Sequence, residues 1–384
     1  VGLRAQAAIA LEELKKKGRL PNFGRVLDAG AVTHLATLHP TSAEAVWTAV
    51  ATGKLPQKNG VRSGAVYRLA RRSRSVPIQL LPDFCFATGL LRFGILSEER
   101  PTSASIRAMT LWGILSSAGI SISVVNFPLT YPAPIVRGFA VSDTYARATD
   151  SAHDPGDPRN LYPPDLQREA MQALASGDGM RAPLVLDGVA ERHRAPVRAD
   201  LIYETLQRAL SATHPTQVSV MRFASTDPIG HYFLRYAMPS RFGDVTDDDR
   251  RRLGGVLEAH YGLVDESIGR AIDALESEDL LLVVSGFGIE PLGVGKRVLE
   301  RLIGDPDVSG THEAAPDGFL MAYGGPVAKT RQFGRASVVD VVPTILYFLG
   351  LPIGRDMDGY ARVDLFQPAF TREHPITFVP THDR

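Results

Sequence analysis

Short apolar runs alternate with amphipathic segments over most of the chain. Three of these runs have the length and β-branched content of buried strands, and they cover residues 121–127, 218–223 and 280–284. A helical periodicity precedes each of them, over residues 106–118, 201–210 and 247–275. Because a repeated order of helix and buried strand is typical of a sheet covered on both faces, the pattern predicts an α/β fold. The expected form is a three-layer α/β/α sandwich with a mostly parallel central sheet.

The turn-forming residues divide this pattern into three parts. Proline, glycine and aspartate are concentrated at 143–196, which predicts an inserted cap between a first core part, 1–142, and a second core part, 197–384. Two more helices are predicted near the start of the chain. One covers 5–17, and the other opens with the N-cap residues of 41–44 and stops at Gly53.

Composition and charge exclude several classes of protein. Forty-two basic residues balance forty-two acidic ones, so no overall field attracts nucleic acid or an anionic membrane. Cys85 is the only cysteine, which excludes an internal disulfide bond. The longest apolar runs are shorter than the about 20 residues that span a bilayer, and no transmembrane segment is predicted. The chain begins with Val1, and the sequence decides neither its compartment nor whether a signal or anchor segment precedes it.

Asp227 and His231 follow the predicted strand at 218–223, at the edge where ligand-binding groups gather in open parallel sheets. A carboxylate oxygen and an imidazole nitrogen four residues apart can bind one zinc-like ion, and His312 lies in a later turn before another apolar run. In isolation these residues have a second interpretation. Asp227 can cap the turn that follows it, and the two histidines can be ordinary packed or hydrogen-bonded rings.

Six blocks of sequence give these three residues a context. They read LPNF at 20–23, WTAVATGK at 47–54, TYPA at 130–133, DPIGH at 227–231, GGP at 324–326 and DVVPT at 340–344. Their order and spacing resemble those of the alkaline phosphatase superfamily and, within it, the type I phosphodiesterase and nucleotide pyrophosphatase group. The resemblance covers nearly the whole chain and implies a hydrolase that uses two metal ions and a serine or threonine nucleophile.

The resemblance also implies which residues would hold the metal ions. One ion of the group is held by an Asp and a His four residues apart and by a late His, which match Asp227, His231 and His312. The positions that serve the second ion and the nucleophile all depart from the group. The first-strand Asp aligns with Arg4, the nucleophile with Ala43, next to Ser42, and an adjacent Asp-His pair with Gly286 and Phe287.

These departures favour a catalytically degenerate phosphodiesterase-like protein, a pseudoenzyme that binds an anionic ligand or serves as a scaffold or subunit in a complex with protein partners. A phosphate- or sulfate-bearing ligand is expected to bind through Arg4, the helix N-terminus near Ala43 and one divalent ion, most simply zinc, at the three matching ligands. The alternative is a metal-dependent phosphodiester or phosphomonoester hydrolase that uses this single metal site, with Ser42 or an activated water as nucleophile. The sequence leaves open whether any metal is bound.

Overall fold

The computed structural model describes residues 18–70, 78, 90–91, 93–146, 157–176, 186, 189–314, 316–329 and 334–383. Arg4 and the helix predicted at 5–17 lie outside the described residues, and so do parts of the predicted cap. The expectations for these residues therefore stay predictions, and so does the division of the chain into two core parts and a cap.

Helices cover much of the described chain. They are α1 Pro21–Ala29, α2 Ala43–Thr52, α3 Pro56–Asn59, α4 Leu111–Ser117, α5 Gln167–Ala175, α6 Glu191–Thr213, α7 Thr226–Ala237, α8 Asp247–Leu253, α9 Val256–Asp273, α10 Val294–Ile303, α11 Val341–Phe348 and α12 Pro368–Glu373. The helix predicted from the N-cap residues at 41–44 is α2. It ends as expected at Gly53, whose φ of 68° is the left-handed conformation that glycine adopts readily.

The larger strands form two four-stranded sheets. The strands are β1 Ala31–Ala36, β2 Val66–Leu69, β3 Leu96–Glu99, β4 Ile122–Val125, β5 Gly138–Val141, β6 Leu161–Tyr162, β7 Val218–Met221, β8 Leu280–Phe287, β9 Glu290–Pro291, β10 Gly310–Thr311, β11 Asp317–Gly324, β12 Ala336–Ser337, β13 Ile353–Gly354 and β14 Phe378–Val379. One sheet has the order β12-β1-β11-β8, and the other has the order β6-β5-β4-β7. In each sheet three strands share a direction, while β11 and β6 run antiparallel to their neighbours.

Alternate residues of the strands point to different helical layers, as the pleat of a strand requires. In β11, Met321 packs with α1 and α9, whereas Leu320 and Ala322 pack with α2 and α11. In the second sheet, Val124 joins the same core as Leu320, and its neighbour Val125 packs on α5 and α6. One continuous core therefore lies between both sheets and α2, α4 and α11, with further helices on the opposite faces. The α/β class and the three-layer arrangement predicted from the sequence are confirmed.

One detail differs from the sequence-based expectations. The helix predicted at 247–275 is divided into α8 and α9 by Gly254 and Gly255, since glycine disfavours the interior of a helix. Within the described residues, no helix combines the length and the apolar character that crossing a membrane requires.

Candidate metal centre

Asp227 and His231 lie in the first turns of α7, which the loop 222–225 connects to the carboxyl end of β7. Their spacing of four residues places both side chains on one face of the helix. His312 directly follows β10, a short strand that pairs with β9. The fold brings these three residues together, and they are called the triad below.

The triad is compact and half-buried. Asp227 Oδ1 lies 2.5 Å from His312 Nε2 and 3.4 Å from His231 Nε2. The two imidazole rings have their centroids 4.6 Å apart and are nearly perpendicular, at 81°. One ligand atom from each residue lies within 4.8 Å of the other two, which is close enough for a single cation to bind all three.

A backbone carbonyl orients each imidazole ring. His231 Nδ1 donates a hydrogen bond to Gly310 O at 2.7 Å, and His312 Nδ1 donates one to Gly288 O, also at 2.7 Å. Because a carbonyl oxygen only accepts hydrogen bonds, Nδ1 carries the hydrogen in both rings. The Nε2 atoms therefore face Asp227, and this is the arrangement in which histidine metal ligands are usually held.

Small residues let α7 approach β10 closely enough for these contacts. A Cβ added to Gly310 would lie 3.0 Å from the carbonyl oxygen of Gly230 in α7 and 2.5 Å from Ile289 Cδ1, and one added to Gly230 would lie 3.0 Å from the same Cδ1 atom. Ser309 also binds the carbonyl oxygen of His231 twice, through its backbone nitrogen at 2.7 Å and its Oγ at 2.8 Å. His231 is thereby fixed against β10 by contacts that involve no ligand.

The charges within the triad are strongly coupled. Burial would raise the pKa of Asp227, but the hydrogen bonds and charges of the two histidines outweigh it and hold this pKa well below its ordinary value. For His231, burial would lower the pKa, and the interaction with Asp227 raises it above its ordinary value. Asp227 therefore favours a proton on the nearby Nε2 of His231. A divalent cation could replace this proton, so the donor set fits a zinc-like ion.

Ala43, Gly286 and Phe287, which the sequence resemblance assigns to the nucleophile and a second ion, have no metal-ligand atoms in their side chains. Ala43 is the first residue of α2 and ends in a methyl group. Gly286 of β8 faces α2, and a Cβ added there would lie 2.7 Å from Val46 Cγ1. The ring of Phe287 packs edge-on against His312, with the centroids 4.6 Å apart and the planes at 70°. Apolar contacts therefore close this side of the triad, and it is called the apolar half below.

Ser42 stands at the N-cap of α2 but does not cap the helix with its side chain. Its Oγ donates instead to Glu44 Oε2 at 3.1 Å. A hydroxyl bound to a carboxylate is one arrangement of a nucleophile and its base. The same contact equally holds an acidic side chain in the first turn of a helix, where its charge is favourable.

Arg222 is a further charged residue of this region that the sequence reading missed. It is the first residue after β7, and its guanidinium lies over the ring of Trp47, with Cζ 5.2 Å from the centroid. Its Nε is enclosed and has no hydrogen-bond acceptor in the part of the chain that the structure describes. Burial lowers the pKa of this guanidinium, and four carboxylates oppose the shift: Asp227, Asp200, Glu44 and Asp143. A basic residue at the carboxyl end of a parallel strand, close before Asp227, is the signal that could have identified it.

A buried carboxylate anchors the loop that carries Arg222. Asp200 of α6 accepts hydrogen bonds from Ser225 N at 2.8 Å, Ser225 Oγ at 2.5 Å and Ala224 N at 3.0 Å. It also accepts one from Asn126 Nδ2 at 3.0 Å, and this amide donates in addition to Arg222 O at 2.9 Å. Burial raises the pKa of Asp200 to about 6, although the hydrogen bonds of Ser225 act in the opposite direction. The path from β7 to α7 is thus fixed by its own polar contacts.

Comparison with solved structures finds similar folds at low sequence identity. A structure of murine ectonucleotide pyrophosphatase / phosphodiesterase 5, an inactive form in complex with AMP, is 10% identical, with 91% of this chain and 94% of that chain covered and a TM-score of 0.48. A multiply substituted mutant of alkaline phosphatase PafA is 12% identical, with 90% of this chain and 94% of that chain covered and a TM-score of 0.50. The latter likeness supports an alkaline-phosphatase-like fold. Comparison with curated protein sequences gives no match.

A family assignment comes from the sequence itself. Residues 2–336 match the profile described as type I phosphodiesterase / nucleotide pyrophosphatase. The match includes the strands β1 to β11, the triad and the apolar half. The chain therefore belongs to the type I phosphodiesterase / nucleotide pyrophosphatase family.

Proposed function

We propose that this chain is a catalytically degenerate member of its family, which binds an anionic ligand beside one zinc-like ion instead of hydrolysing it. The observation that supports this most is the contact between Phe287 and His312. An apolar ring occupies the flank of the triad on which the family's Asp-His pair would be expected.

The chemistry of the family explains why this replacement matters. In-line displacement at phosphorus uses two ions about 4 Å apart, one to activate the nucleophile and one to stabilise the leaving oxygen. Ala43 offers no oxygen for the attack, Gly286 offers no carboxylate, and Val46 fills the space beside Gly286. The side chains at these aligned positions therefore provide neither a nucleophile nor ligands for a second ion.

The triad retains the features of a binding site for a single ion. When bound, such an ion supplies positive charge and a Lewis-acid position that an oxyanion can occupy. Asp227 offsets part of that charge, and the Nε2 atoms of His231 and His312 are already directed towards Asp227. The family is typically metal-dependent, and one ion is what these three residues can hold.

The test combines metal content and turnover on the purified full chain. After zinc loading and desalting, elemental analysis should give one zinc per chain for the wild type and a large loss for His312→Ala. The matched control is His214→Ala, which removes a surface histidine paired with Glu169 and should retain the zinc. Turnover of bis-p-nitrophenyl phosphate and p-nitrophenyl phosphate should equal the buffer rate with zinc, manganese or magnesium. Two zinc ions per chain, or turnover that needs metal and is lost in His312→Ala, would contradict the proposal.

A working hydrolase with one metal site is the second candidate, and the hydrogen bond from Ser42 to Glu44 favours it. In this mechanism Ser42 Oγ attacks phosphorus while Glu44 accepts its proton, and the ester oxygen leaves and takes up a proton from solvent. Water then hydrolyses the phosphoserine and restores the serine hydroxyl. If the chain is this hydrolase, Ser42→Ala and His312→Ala should both abolish the same metal-dependent turnover. Turnover by a contaminating phosphatase would be unaffected by either substitution.

A scaffold or subunit role would instead give co-purification with a partner at fixed stoichiometry and no binding of oxyanions.

A further inference from the structure

The guanidinium of Arg222 lies in a crowded, charged region and has no hydrogen-bond partner among the residues that the structure describes. Arginine carries five N–H donors, yet no acceptor among the described residues receives a hydrogen bond from this side chain, and its Nε is enclosed. Trp47 lies against the guanidinium, and the indole Nε1 of Trp47 is a second enclosed donor without an acceptor in the described part of the chain. Two unsatisfied donors thus occur side by side, although a buried donor without an acceptor is costly and rare.

None of the four carboxylates around Arg222 forms a hydrogen bond or an ion pair with its guanidinium in the described structure, although each has other partners. Asp227 binds the two histidines of the triad, and Glu44 accepts from Ser42 Oγ. Asp143 accepts from the backbone nitrogen atoms of 129 and 130, and Asp200 accepts from the loop that follows β7. The guanidinium interacts with all four by charge alone. Its N–H groups therefore stay available for an acceptor that is not part of the described chain.

We propose that Arg222 and Trp47 form the oxyanion-binding part of this site and take a tetrahedral phosphate or sulfate group, free or as an ester. The planar fork of the guanidinium donates hydrogen bonds to two oxygens of the phosphate or sulfate group. The indole N–H of Trp47 donates a hydrogen bond to a third oxygen of the same group. This assignment rests on the proposed binding function and names the residues that carry it.

The surrounding charges make anion binding depend on the ion. Four carboxylates against one guanidinium leave an excess of negative charge, which repels an oxyanion. A divalent cation at the triad reduces that excess. The same guanidinium repels the cation, because both carry positive charge. Arg222 therefore strengthens the binding of the anion and weakens the binding of the metal.

Isothermal titration of the full chain with zinc, and of the zinc-loaded chain with inorganic phosphate and sulfate, tests this assignment. Arg222→Gln should weaken phosphate binding by about tenfold to a hundredfold, since a charged, bidentate hydrogen bond is lost. The same variant should bind zinc about threefold to tenfold more tightly, because a like charge is removed. Arg222→Lys keeps the positive charge but loses the bidentate guanidinium. Its phosphate affinity should therefore lie between those of the wild type and Arg222→Gln. Trp47→Phe keeps a ring and should weaken phosphate binding alone.

The matched control is Arg297→Gln. Arg297 lies over the ring of Phe242 at the same 5.2 Å and also has an enclosed, unpaired Nε in the described structure, but it is on α10. Its replacement should leave both affinities unchanged. If Arg222→Gln binds phosphate like the wild type, or weakens zinc and phosphate together as its thermal stability falls, Arg222 acts only through packing and the assignment is wrong. If Arg222→Gln does not fold, the phosphate affinities of Arg222→Lys and Trp47→Phe test the assignment instead. Phosphate affinities equal to that of the wild type in both variants would then show that it is wrong.

Failure of this inference can be told apart from failure of the proposed function. A zinc-loaded wild type that binds phosphate with an affinity that Arg222→Gln leaves unchanged overturns the role of Arg222 and leaves the proposed function intact. Metal-dependent turnover overturns the degenerate site, whereas the phosphate affinity of Arg222→Gln still decides the role of Arg222. An effect of Arg222→Gln on phosphate without the opposite effect on zinc contradicts the charge argument.

Discussion

Replacement of Gly286 by alanine tests how the apolar half is closed. Gly286 lies in β8 opposite Val46 of α2, and an added Cβ would lie 2.7 Å from Val46 Cγ1. Contacting carbon atoms prefer about 3.5–4.0 Å, so either α2 must move away from β8 or Val46 must leave its rotamer. Overpacking of this kind typically lowers the free energy of unfolding by about 1–3 kcal/mol.

A second substitution separates overpacking from other effects of alanine. Val46 is fully buried, so Val46→Ala alone should lower the free energy of unfolding by about 1–3 kcal/mol through lost burial and the cavity it leaves. In the double variant the methyl group introduced at position 286 enters the space that the valine methyls leave. The double variant should therefore resemble Val46→Ala, with a favourable coupling between the two positions that equals the cost of Gly286→Ala alone, about 1–3 kcal/mol.

The wild type, the two single variants and the double variant form a double-mutant cycle. Urea unfolding followed by circular dichroism measures the free energy of unfolding of all four proteins. Gly262→Ala is the matched control, because Gly262 is a helix residue of α9 with nothing within 4 Å of an added Cβ. It should raise the free energy of unfolding by up to about 1 kcal/mol. Additive effects of the two substitutions, or a Gly286→Ala variant as stable as the wild type, would refute the view that Val46 occupies the place of a side chain at 286.

The remaining predictions concern the ion and two buried carboxyl groups. Chelation of zinc should lower the thermal unfolding midpoint of the zinc-loaded wild type and leave that of His312→Ala unchanged, because an ion bound only by the folded chain stabilises it. Asp227 raises the pKa of His231 above its ordinary 6.5, so zinc must displace a proton. The zinc affinity, measured by chelator competition, should fall by about tenfold per pH unit below that raised pKa, and a constant affinity from pH 8 to pH 6 would contradict this. Burial raises the pKa of Asp200 from 3.8 to about 6, so the folded chain holds this proton more tightly than the unfolded chain. Its stabilising effect is present below pH 3.8 and is lost as the pH rises through 6. Relative to Asp200→Asn, the wild type should lose about 2 kcal/mol of unfolding free energy between pH 4 and pH 7, and a pH-independent difference in urea unfolding would refute it.

The sequence predicted most of what depends on local pattern. The start and end of α2 follow from the N-cap residues and Gly53, and the common face of Asp227 and His231 follows from their spacing of four residues. The position of His312 beside them came from the resemblance to the family, since 85 residues separate it from Asp227. The structure brings the three together, while metal binding itself stays a prediction.

What could not be predicted depends on packing between distant segments. The antiparallel insertion of β11 between β1 and β8 is set by long-range pairing, on which the apolar pattern of a single strand carries no information. The contact of Val46 with Gly286 joins residues 240 positions apart, so neither residue alone indicates that the space is filled. Arg222 was missed for the same reason, because its stacking on Trp47 and its lack of an acceptor are properties of the folded chain.

The two halves of the site are held by different forces, and this affects how easily each could change. Two backbone carbonyls orient the histidines of the triad, and these groups remain whatever the site binds. The apolar half is closed by side-chain packing, with Val46 on Gly286 and Phe287 on His312. A carboxylate introduced at 286 would have to displace Val46 before it could bind a cation, and a buried charge without a partner is strongly destabilising. Several simultaneous changes are therefore needed to build an ion site in the apolar half. The triad requires none of them, so the ion binding proposed for the triad does not depend on which side chains stand at positions 43, 286 and 287.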